Sequence, residues 1–291
     1  MEQSTAGDTI ISLLGRHLEP PPPATEALER LAAAQQDYER EPSLEHIIWY
    51  GRRAAYLSQY ARAVAIYSEG LDRFPSAYQL YRHRGHRYIS TRQFGLAVAD
   101  FERAAELAAG QPIEPEPDGV PNRLNTLRST GHFNVWYHLG LAHYLSGSFA
   151  QAAEAYRTCL SYCDNDDSLV ATIDWLYMSE RRLGEQGAAN ALLEQIRPEM
   201  DLVESEDYHR RLLMYKGLLA PKDLLPGLEQ PGDAAALAAA TQGYGVGNWY
   251  LYNGDQATAL AIFERVLLTS SWSAFGYIAA EVELARAREI P

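Results

Sequence analysis

The sequence predicts an all-α protein, a solenoid in which one helix–turn–helix unit follows another along the chain. Three observations lead to this fold class. Several segments recur at a spacing of about 34 residues, a period that is typical of stacked pairs of helices. Ala, Leu, Tyr and Arg are frequent while β-branched residues are sparse, which favours helix over sheet. Each end of the repeated region also carries a segment with the pattern of a single amphipathic helix.

Two neighbouring segments, residues 50–75 and 84–109, align without a gap. Each contains two apolar stripes of helical period separated by a turn, so we predict a pair of helices in each. Equivalent positions carry small residues against small ones and aromatic residues against aromatic ones. At this offset the matched pairs are Gly51 and Gly85, Tyr60 and Phe94, Ala63 and Ala97, and Tyr67 and Phe101.

Further copies follow in the same register at 136–160, 173–196, 207–232 and 244–267. The copy at 207–232 is degenerate, because Pro226 interrupts its second helix. A single hairpin of this kind cannot bury its whole apolar face. The copies are therefore expected to stack and to share one continuous core.

The order of residues within each copy (aromatic, Leu-Gly, Tyr, Gly, aromatic, Ala, aromatic, Ala) resembles the tetratricopeptide repeat. The resemblance covers roughly residues 43–269, and it implies a right-handed superhelical solenoid. We accordingly divide the chain into three parts. These are an N-terminal segment with a capping helix (1–42), an array of about six units (43–269) and a C-terminal capping helix (270–291).

The two capping helices have separate signals. Residues 25–40 follow a run of prolines and are predicted to cover the first repeat. At the other end, Ser273 is a candidate N-cap for a final helix. Phe275, Ile278, Val282 and Ala285 would form the inner face of this helix, and Glu281, Glu283 and Arg286 would face outward.

One segment departs from the repeat pattern. The interval from Gly85 to Gly140 is longer than the interval from Gly51 to Gly85 by more than half a repeat, and the excess falls in the Pro- and Gly-rich stretch 110–134. A loop of this length in a compact array is usually functional or disordered. Both interpretations stay open at the level of the sequence.

The resemblance also implies which residues contact a ligand, since the first helix of each pair lines the concave face in this family. On that basis the candidate groove residues are Arg52, Tyr56, Arg82, His86, Asn134, Tyr137, His138, Tyr144, Asp174, Arg181, Asn248 and Tyr252.

These candidates are basic and aromatic, although the whole chain has a formal net charge of −13. A positive groove in a negative protein would attract an anionic ligand, and the arginine fork suits carboxylates. We therefore predict a scaffold that binds a protein or peptide segment, with anionic character, in this groove. The alternative is a groove that binds or transforms a small molecule and is closed by residues 110–134.

Other classes of function lack support in the sequence. The net charge argues against a nucleic-acid partner, and no apolar run is long enough for a membrane span. We find no catalytic motif and predict neither a cofactor nor a metal; the Gly-rich stretch 243–249 is predicted to be a helix-packing site and not a phosphate loop. Cys159 and Cys163 are poorly spaced for a structural disulfide, and the chain is expected to be cytoplasmic. Homo-oligomerisation stays possible.

Overall fold

A computed structural model describes residues 7–117, 119, 122–229 and 235–289. It confirms the all-α class and the arrangement of helices in successive pairs. The chain divides into two compact units, Met1–Glu114 and Pro115–Pro291. The boundary lies within the Pro- and Gly-rich stretch that interrupts the repeat, and each unit is described below by itself.

The N-terminal unit begins with a short hairpin and continues with five helices. The hairpin pairs β1 (Ile10–Ile11) with β2 (His17–Leu18), antiparallel. The helices are α1 (Thr25–Arg40), α2 (Leu44–Tyr56), α3 (Tyr60–Arg73), α4 (Tyr78–Ser90) and α5 (Phe94–Ala108). The predicted helix at 25–40 is thus confirmed, and it packs against α2. The first two repeats are the pairs α2–α3 and α4–α5.

The C-terminal unit contains the other four repeats and the final helix. Its helices are α6 (Gly131–Leu145), α7 (Phe149–Leu160), α8 (Asp166–Leu183), α9 (Gln186–Leu192), α10 (Glu206–Tyr215), α11 (Pro226–Glu229), α12 (Ala236–Tyr252), α13 (Gln256–Val266) and α14 (Phe275–Glu289). In the degenerate fifth repeat, a 3₁₀ turn at Pro221–Leu224 and the short α11 replace a full second helix. Pro226 begins α11, a position at which proline is well tolerated.

A contact between glycine and an aromatic ring holds each well-formed pair together. The glycine lies on the first helix and the ring lies on the second. A Cβ atom added to Gly140 would lie 2.7 Å from Tyr156, and one added to Gly247 would lie 2.5 Å from Phe263. The same contact joins Gly51 to Tyr67 and Gly85 to Phe101. The small residues of the repeat are therefore needed because the ring of the second helix packs directly on the first.

The turn between the two helices also recurs in register, including in the fifth repeat. Gly147, Gly184, Gly217 and Gly254 all have φ between 80° and 92° at this position. The first two repeats place Ser58 and Arg92 there, with φ of 56° and 63°. Since a left-handed conformation favours glycine, these two turns adopt the same geometry with a less suitable residue.

The C-terminal helix differs from its predicted orientation. The expectation that Glu281 and Glu283 face outward is wrong, because their side chains are 0% and 5% exposed. Helix α14 packs against α12 and α13 and also touches α6. Both its apolar and its acidic faces are therefore enclosed. The helix begins at Phe275, one residue later than a Ser273 N-cap would require.

Candidate functional site

In the N-terminal unit, the candidate site lies on α2. Ser43 caps this helix by accepting a hydrogen bond from the backbone N–H of His46. Trp49, Arg52, Arg53 and Tyr56 follow at spacings of three and four residues, which places them on one side of the helix. The first three are half-buried and Tyr56 is 43% exposed. This side of α2 carries the aromatic and basic character that the sequence predicts for a ligand-binding surface.

The indole of Trp49 organises the two arginines. The guanidinium carbons of Arg52 and Arg53 lie 4.7 and 4.9 Å from the centroid of its ring, within the range of cation–π attraction. Arg52 Nε also donates a hydrogen bond of 3.1 Å to the hydroxyl of Tyr56. Two cations are thus held side by side over one aromatic surface.

An open cleft of about 340 Å³ lies beside these residues, between α1 and α2. Its apolar part consists of Ala33, Ala34 and the Trp49 ring, and its rim is charged. The full lining is Arg30, Ala33, Ala34, Asp37, Glu45, His46, Trp49 and Arg53. Asp37 is also within 2.6 Å of Arg40, so part of its charge is balanced within α1.

The positive charges at the cleft repel one another. Burial lowers the pKa of Arg53, and the nearby charges of Arg30 and Arg52 lower it further, whereas Tyr56 raises it. An anionic group placed near Arg53 would relieve this repulsion. We name Trp49, Arg52, Arg53 and Tyr56, together with the cleft residue Arg30, the α2 surface.

The two candidates on α4 are less exposed. Arg82 is only 8% exposed, and its Nη1 lies 2.8 Å from Nδ1 of His83. His86 is half-buried. The neighbouring Arg84 is occupied by a bidentate ion pair with Asp100 of α5 at 2.7 and 2.8 Å, so it holds the α4–α5 pair together.

In the C-terminal unit, most of the predicted groove residues form a core. Their exposed fractions range from 0% to 8% for the set Asn134, Tyr137, His138, Tyr144, Asp174 and Asn248. The Tyr144 hydroxyl lies 2.8 Å from that of Tyr244 and accepts a hydrogen bond from Asn248 at 3.0 Å. The ring of Trp175 packs against both tyrosines. All six side chains are enclosed, which corrects the expectation of an open groove lined by them.

A buried ion pair lies in the same core. Asp174 of α8 and Arg211 of α10 are both 0% exposed, and Nη2 of the arginine is 2.6 Å from Oδ2 of the aspartate. Burial raises the pKa of Asp174 to about 7, although the positive charge of Arg211 opposes the shift. Gly245 on α12 lies directly against the Arg211 side chain. The pair therefore belongs to the core of this unit, and its burial keeps Asp174 away from any external ligand.

The Gly-rich stretch of α12 serves the same packing. A Cβ atom at Gly243 would lie 2.7 Å from Val266 and 2.8 Å from Leu228. The prediction that these glycines permit close helix packing is confirmed.

A second buried ion pair explains the position of α14. Arg182 of α8 lies 2.6 Å from Glu283, and Arg286 lies 3.1 Å from the same carboxylate oxygen. Arg286 also donates a hydrogen bond of 2.9 Å to the carbonyl oxygen of Leu145 at the end of α6. These contacts are the physical reason why the acidic face of α14 is enclosed.

The last two candidates, Arg181 and Tyr252, are half-buried and contact each other. The Arg181 guanidinium lies 4.3 Å from the centroid of the Tyr252 ring. Its Nη2 donates a hydrogen bond of 2.9 Å to Oδ1 of Asn253.

The described part of the stretch 110–134 packs at the N-terminal ends of helices. Glu116 accepts a hydrogen bond from the side chain of Asn134 in the first turn of α6. Arg128 lies 3.4 Å from Asp167 in the first turn of α8, and Arg123 bonds to the carbonyl oxygen of Leu202 before α10. Positions 118, 120 and 121 of this stretch lie outside the described residues.

The described part of the chain has neither a membrane-spanning helix nor a cluster of metal ligands. None of its helices is long and apolar enough to cross a membrane. Among the same residues, no group of three or more His, Cys, Asp or Glu side chains is arranged to hold a metal ion.

The sequence predicts Arg52 and Tyr56 as members of the α2 surface, but not Trp49, Arg53 or Arg30. It predicts only that helix α1 covers the first repeat and not that this helix lines a cleft. A signal was nevertheless present, since Trp49 lies three residues before Arg52 and four before Arg53, the spacing of neighbours on one helical face.

Comparison with known proteins finds a family model that matches one part of the chain. The family model of the tetratricopeptide repeat matches residues 133–166, which include most of α6 and all of α7. No curated protein matches the chain. One similar solved structure is YrrB, "a TPR protein with an unusual peptide-binding site"; it is 15% identical over 89% of this chain and 98% of its own, with a TM-score of 0.46.

A tetratricopeptide repeat protein from Parabacteroides merdae ATCC 43184 is 12% identical over 89% of this chain and 93% of its own, with a TM-score of 0.49. The family match therefore shows a tetratricopeptide repeat at residues 133–166, and the described helices pack in successive pairs on both sides of it.

Proposed function

We propose that this protein is a non-catalytic interaction scaffold and that it binds an anionic peptide segment of a partner at the α2 surface. The observation that carries the proposal is the pair of Arg52 and Arg53 at the ring of Trp49, next to an open cleft that Arg30 also lines. Tetratricopeptide repeats commonly serve as protein-binding modules, and this class of function agrees with the repeat match.

The chemistry of the α2 surface suits a carboxylate-rich ligand. A carboxylate can accept two parallel hydrogen bonds from one guanidinium. The Trp49 ring holds the two arginines of α2 in place, which reduces the side-chain entropy lost on binding. The cleft beside them is large enough to take a side chain of the bound segment, with Ala33 and Ala34 as its apolar wall.

The proposal restricts ligand binding to those predicted groove residues that lie in the N-terminal unit. Arg52 and Tyr56 keep the role that the sequence gave them, and Arg82 and His86 lie on the next first helix of the same unit. The buried candidates of the C-terminal unit are assigned to its core. The alternative of a lid formed by 110–134 gains no support, because the described contacts of that segment are with helix ends.

Binding can be tested with fluorescein-labelled peptides rich in Asp and Glu, compared with Asn and Gln counterparts of the same length. We expect the acidic peptides to bind the full-length protein and the affinity to fall as salt rises. Arg53→Glu should lower the affinity by about ten- to a hundredfold, the range for losing hydrogen bonds to a charged group. Fluorescence anisotropy measures both effects.

The matched control is Arg103→Glu, since Arg103 is an exposed arginine on the second helix α5. It carries the same change of charge and should keep the affinity within about twofold, as expected for a screened charge away from the site. Equal loss in both variants, or equal binding of the neutral peptides, would contradict a specific α2 surface. Light scattering of the free protein tests the separate question of whether it forms a homo-oligomer.

A further inference from the structure

The two cysteines of the chain lie at the junction between α7 and α8. Cys159 is in the last turn of α7 and is fully buried, whereas Cys163 lies three residues beyond the end of that helix and is half-buried. Four helical residues rise by about 6 Å, which is within the range of Cα separations of about 4.4–6.8 Å that a disulfide can bridge. The backbone N–H of Cys163 donates to the carbonyl oxygen of Leu160 at 3.3 Å, so the chain continues beyond the helix in a turn.

The two thiols converge on one point of α8. Sγ of Cys159 lies 3.6 Å from Oγ1 of Thr172, and Sγ of Cys163 lies 3.4 Å from the same oxygen. The Cys163 thiol also contacts the carbonyl oxygen of Cys159 at 3.5 Å. The spacing of four residues, unsuited to a structural framework, thus brings two nucleophilic side chains together.

The surroundings make the two thiols unequal. Hydrogen bonds from Cys159, Thr172 and Ser168 lower the pKa of Cys163, with burial acting against them. Burial raises the pKa of Cys159 well above its ordinary value. The half-exposed thiol is therefore the more readily ionised and the more reactive of the two, because the thiolate is the nucleophile.

We propose that Cys163 and Cys159 form a site of reversible oxidation by hydroperoxides, with Cys163 as the attacking thiol and Cys159 as the resolving one. The Cys163 thiolate attacks the distal oxygen of the peroxide, the O–O bond breaks, and a sulfenic acid forms on Cys163 with release of water or an alcohol. The Cys159 thiol then attacks the Cys163 sulfur, a disulfide forms, and the second oxygen leaves as water. The cysteines lose two electrons, which the peroxide accepts, and an added dithiol reverses the change.

Oxidation would alter contacts that connect three helices. The Cys159 thiol donates to the carbonyl oxygen of Phe133 on α6 at 3.6 Å, and this donor disappears in the disulfide. The same junction contains Asn165, whose side chain caps α8 and donates to the carbonyl oxygen of Arg128. The site therefore lies where α6, α7, α8 and the segment before α6 meet.

The test uses the full chain, reduced and then treated with a small excess of hydrogen peroxide. We expect the intact mass to fall by about 2 Da, as two hydrogen atoms are lost when one disulfide forms, and to return after treatment with dithiothreitol. Peptide mapping should join Cys159 to Cys163 within one chain. An unchanged mass, or a mass increase by oxygen atoms with no disulfide, overturns the proposal.

Single variants test the assigned roles. In Cys159→Ser, dimedone should trap a sulfenic acid on Cys163, since its resolving partner is gone. In Cys163→Ser, Cys159 should remain unmodified at the same peroxide concentration. Its reaction with iodoacetamide should be at least about tenfold slower than that of Cys163 in the Cys159→Ser variant. Equal reactivity of the two thiols would overturn the assignment. Circular dichroism confirms that each variant is folded, and the wild-type mass shift needs neither variant.

Discussion

At the scale of single residues, close packing explains why the repeat needs glycine on its first helices. Gly51 lies directly against the ring of Tyr67, so an added methyl group has no space without movement of that ring. Gly95, near the start of α5, has no atom within 4 Å of an added Cβ. Substitutions at Gly51 and Gly95 therefore separate the effect of packing on stability from the effect of intrinsic helix propensity.

We predict that Gly51→Ala lowers the free energy of unfolding by about 1–3 kcal/mol, the usual cost of overpacking a core. Gly95→Ala should raise it by about 0.5 kcal/mol, since alanine is the better helix former. Urea denaturation followed by circular dichroism measures both. A similar effect of the two substitutions would contradict the packing argument.

Asp174 gives a second prediction at this scale. Its pKa of about 7 in the folded protein is above the ordinary value of about 3.9 in an unfolded chain. Between these values the folded state holds more protons than the unfolded state, so the contribution of Asp174 to stability falls as pH rises from about 4 to about 7. The unfolding free energy of wild type minus that of Asp174→Asn should decline over this window and level off above it. A difference that rises with pH would show that Arg211 dominates and lowers the pKa.

The Asp174–Arg211 pair can also be tested by removing one or both charges. Asp174→Ala leaves Arg211 buried without its carboxylate and should cost about 3–5 kcal/mol. The double variant Asp174→Leu, Arg211→Met should be much less destabilised, since replacing a buried pair with apolar residues is often neutral. Thermal unfolding of the wild type, of Asp174→Ala and of the double variant measures these differences in stability. Equal destabilisation of the single and double variants would contradict this account.

At the scale of elements, the left-handed residue of each turn fixes how the two helices of a repeat are connected. Gly254 has a φ of 92° and is exposed, so backbone strain is the main effect of adding a side chain there. We predict that Gly254→Ala lowers the unfolding free energy by about 1–2 kcal/mol. Gly187→Ala, the same change in helix α9 with no close neighbour, should be neutral or slightly stabilising. Chemical denaturation compares them, and a neutral Gly254→Ala would rule out strain at the turn.

The elements themselves were largely predictable from the sequence. The period of the repeat predicts where the pairs of helices lie. Glycine, alanine and aromatic residues recur at the positions where the two helices of a pair contact each other. The orientation of α14 was not predictable in this way. Glu281 and Glu283 have the pattern of an outer face, but Glu283 is buried by Arg182, which lies 101 residues away in the sequence. A local hydrophobic pattern carries no information about such a distant partner.

The same limit applies to the candidate site. The sequence predicts the candidate residues on first helices, and the positions on α2 are half-buried or exposed, with the basic and aromatic character expected of a binding surface. Tyr144 and Asn248 are aromatic or polar residues on first helices, like the candidates on α2, yet they hydrogen-bond to each other in a core. Whether a first-helix face is open or closed depends on how tightly successive repeats converge, and that property is not encoded within one repeat.

At the scale of the whole molecule, the chain is acidic, with a net charge of −13. The places where positive side chains cluster therefore indicate where an anionic ligand would bind. Several arginines of the C-terminal unit are neutralised by buried acids, as in the pairs Arg211–Asp174 and Arg182–Glu283. In the N-terminal unit, Arg52 and Arg53 lie within cation–π distance of Trp49 beside an open cleft. The central claim is that an anionic peptide segment binds there and not in the C-terminal unit.

Hydrogen–deuterium exchange of the full chain tests this claim most directly, with and without a saturating amount of the acidic peptide that binds most tightly. The account predicts slower exchange in peptides that cover residues 28–56, and no change in those that cover 134–144, 174–182 and 244–252. Protection in the C-terminal segments without protection at 28–56 would contradict it.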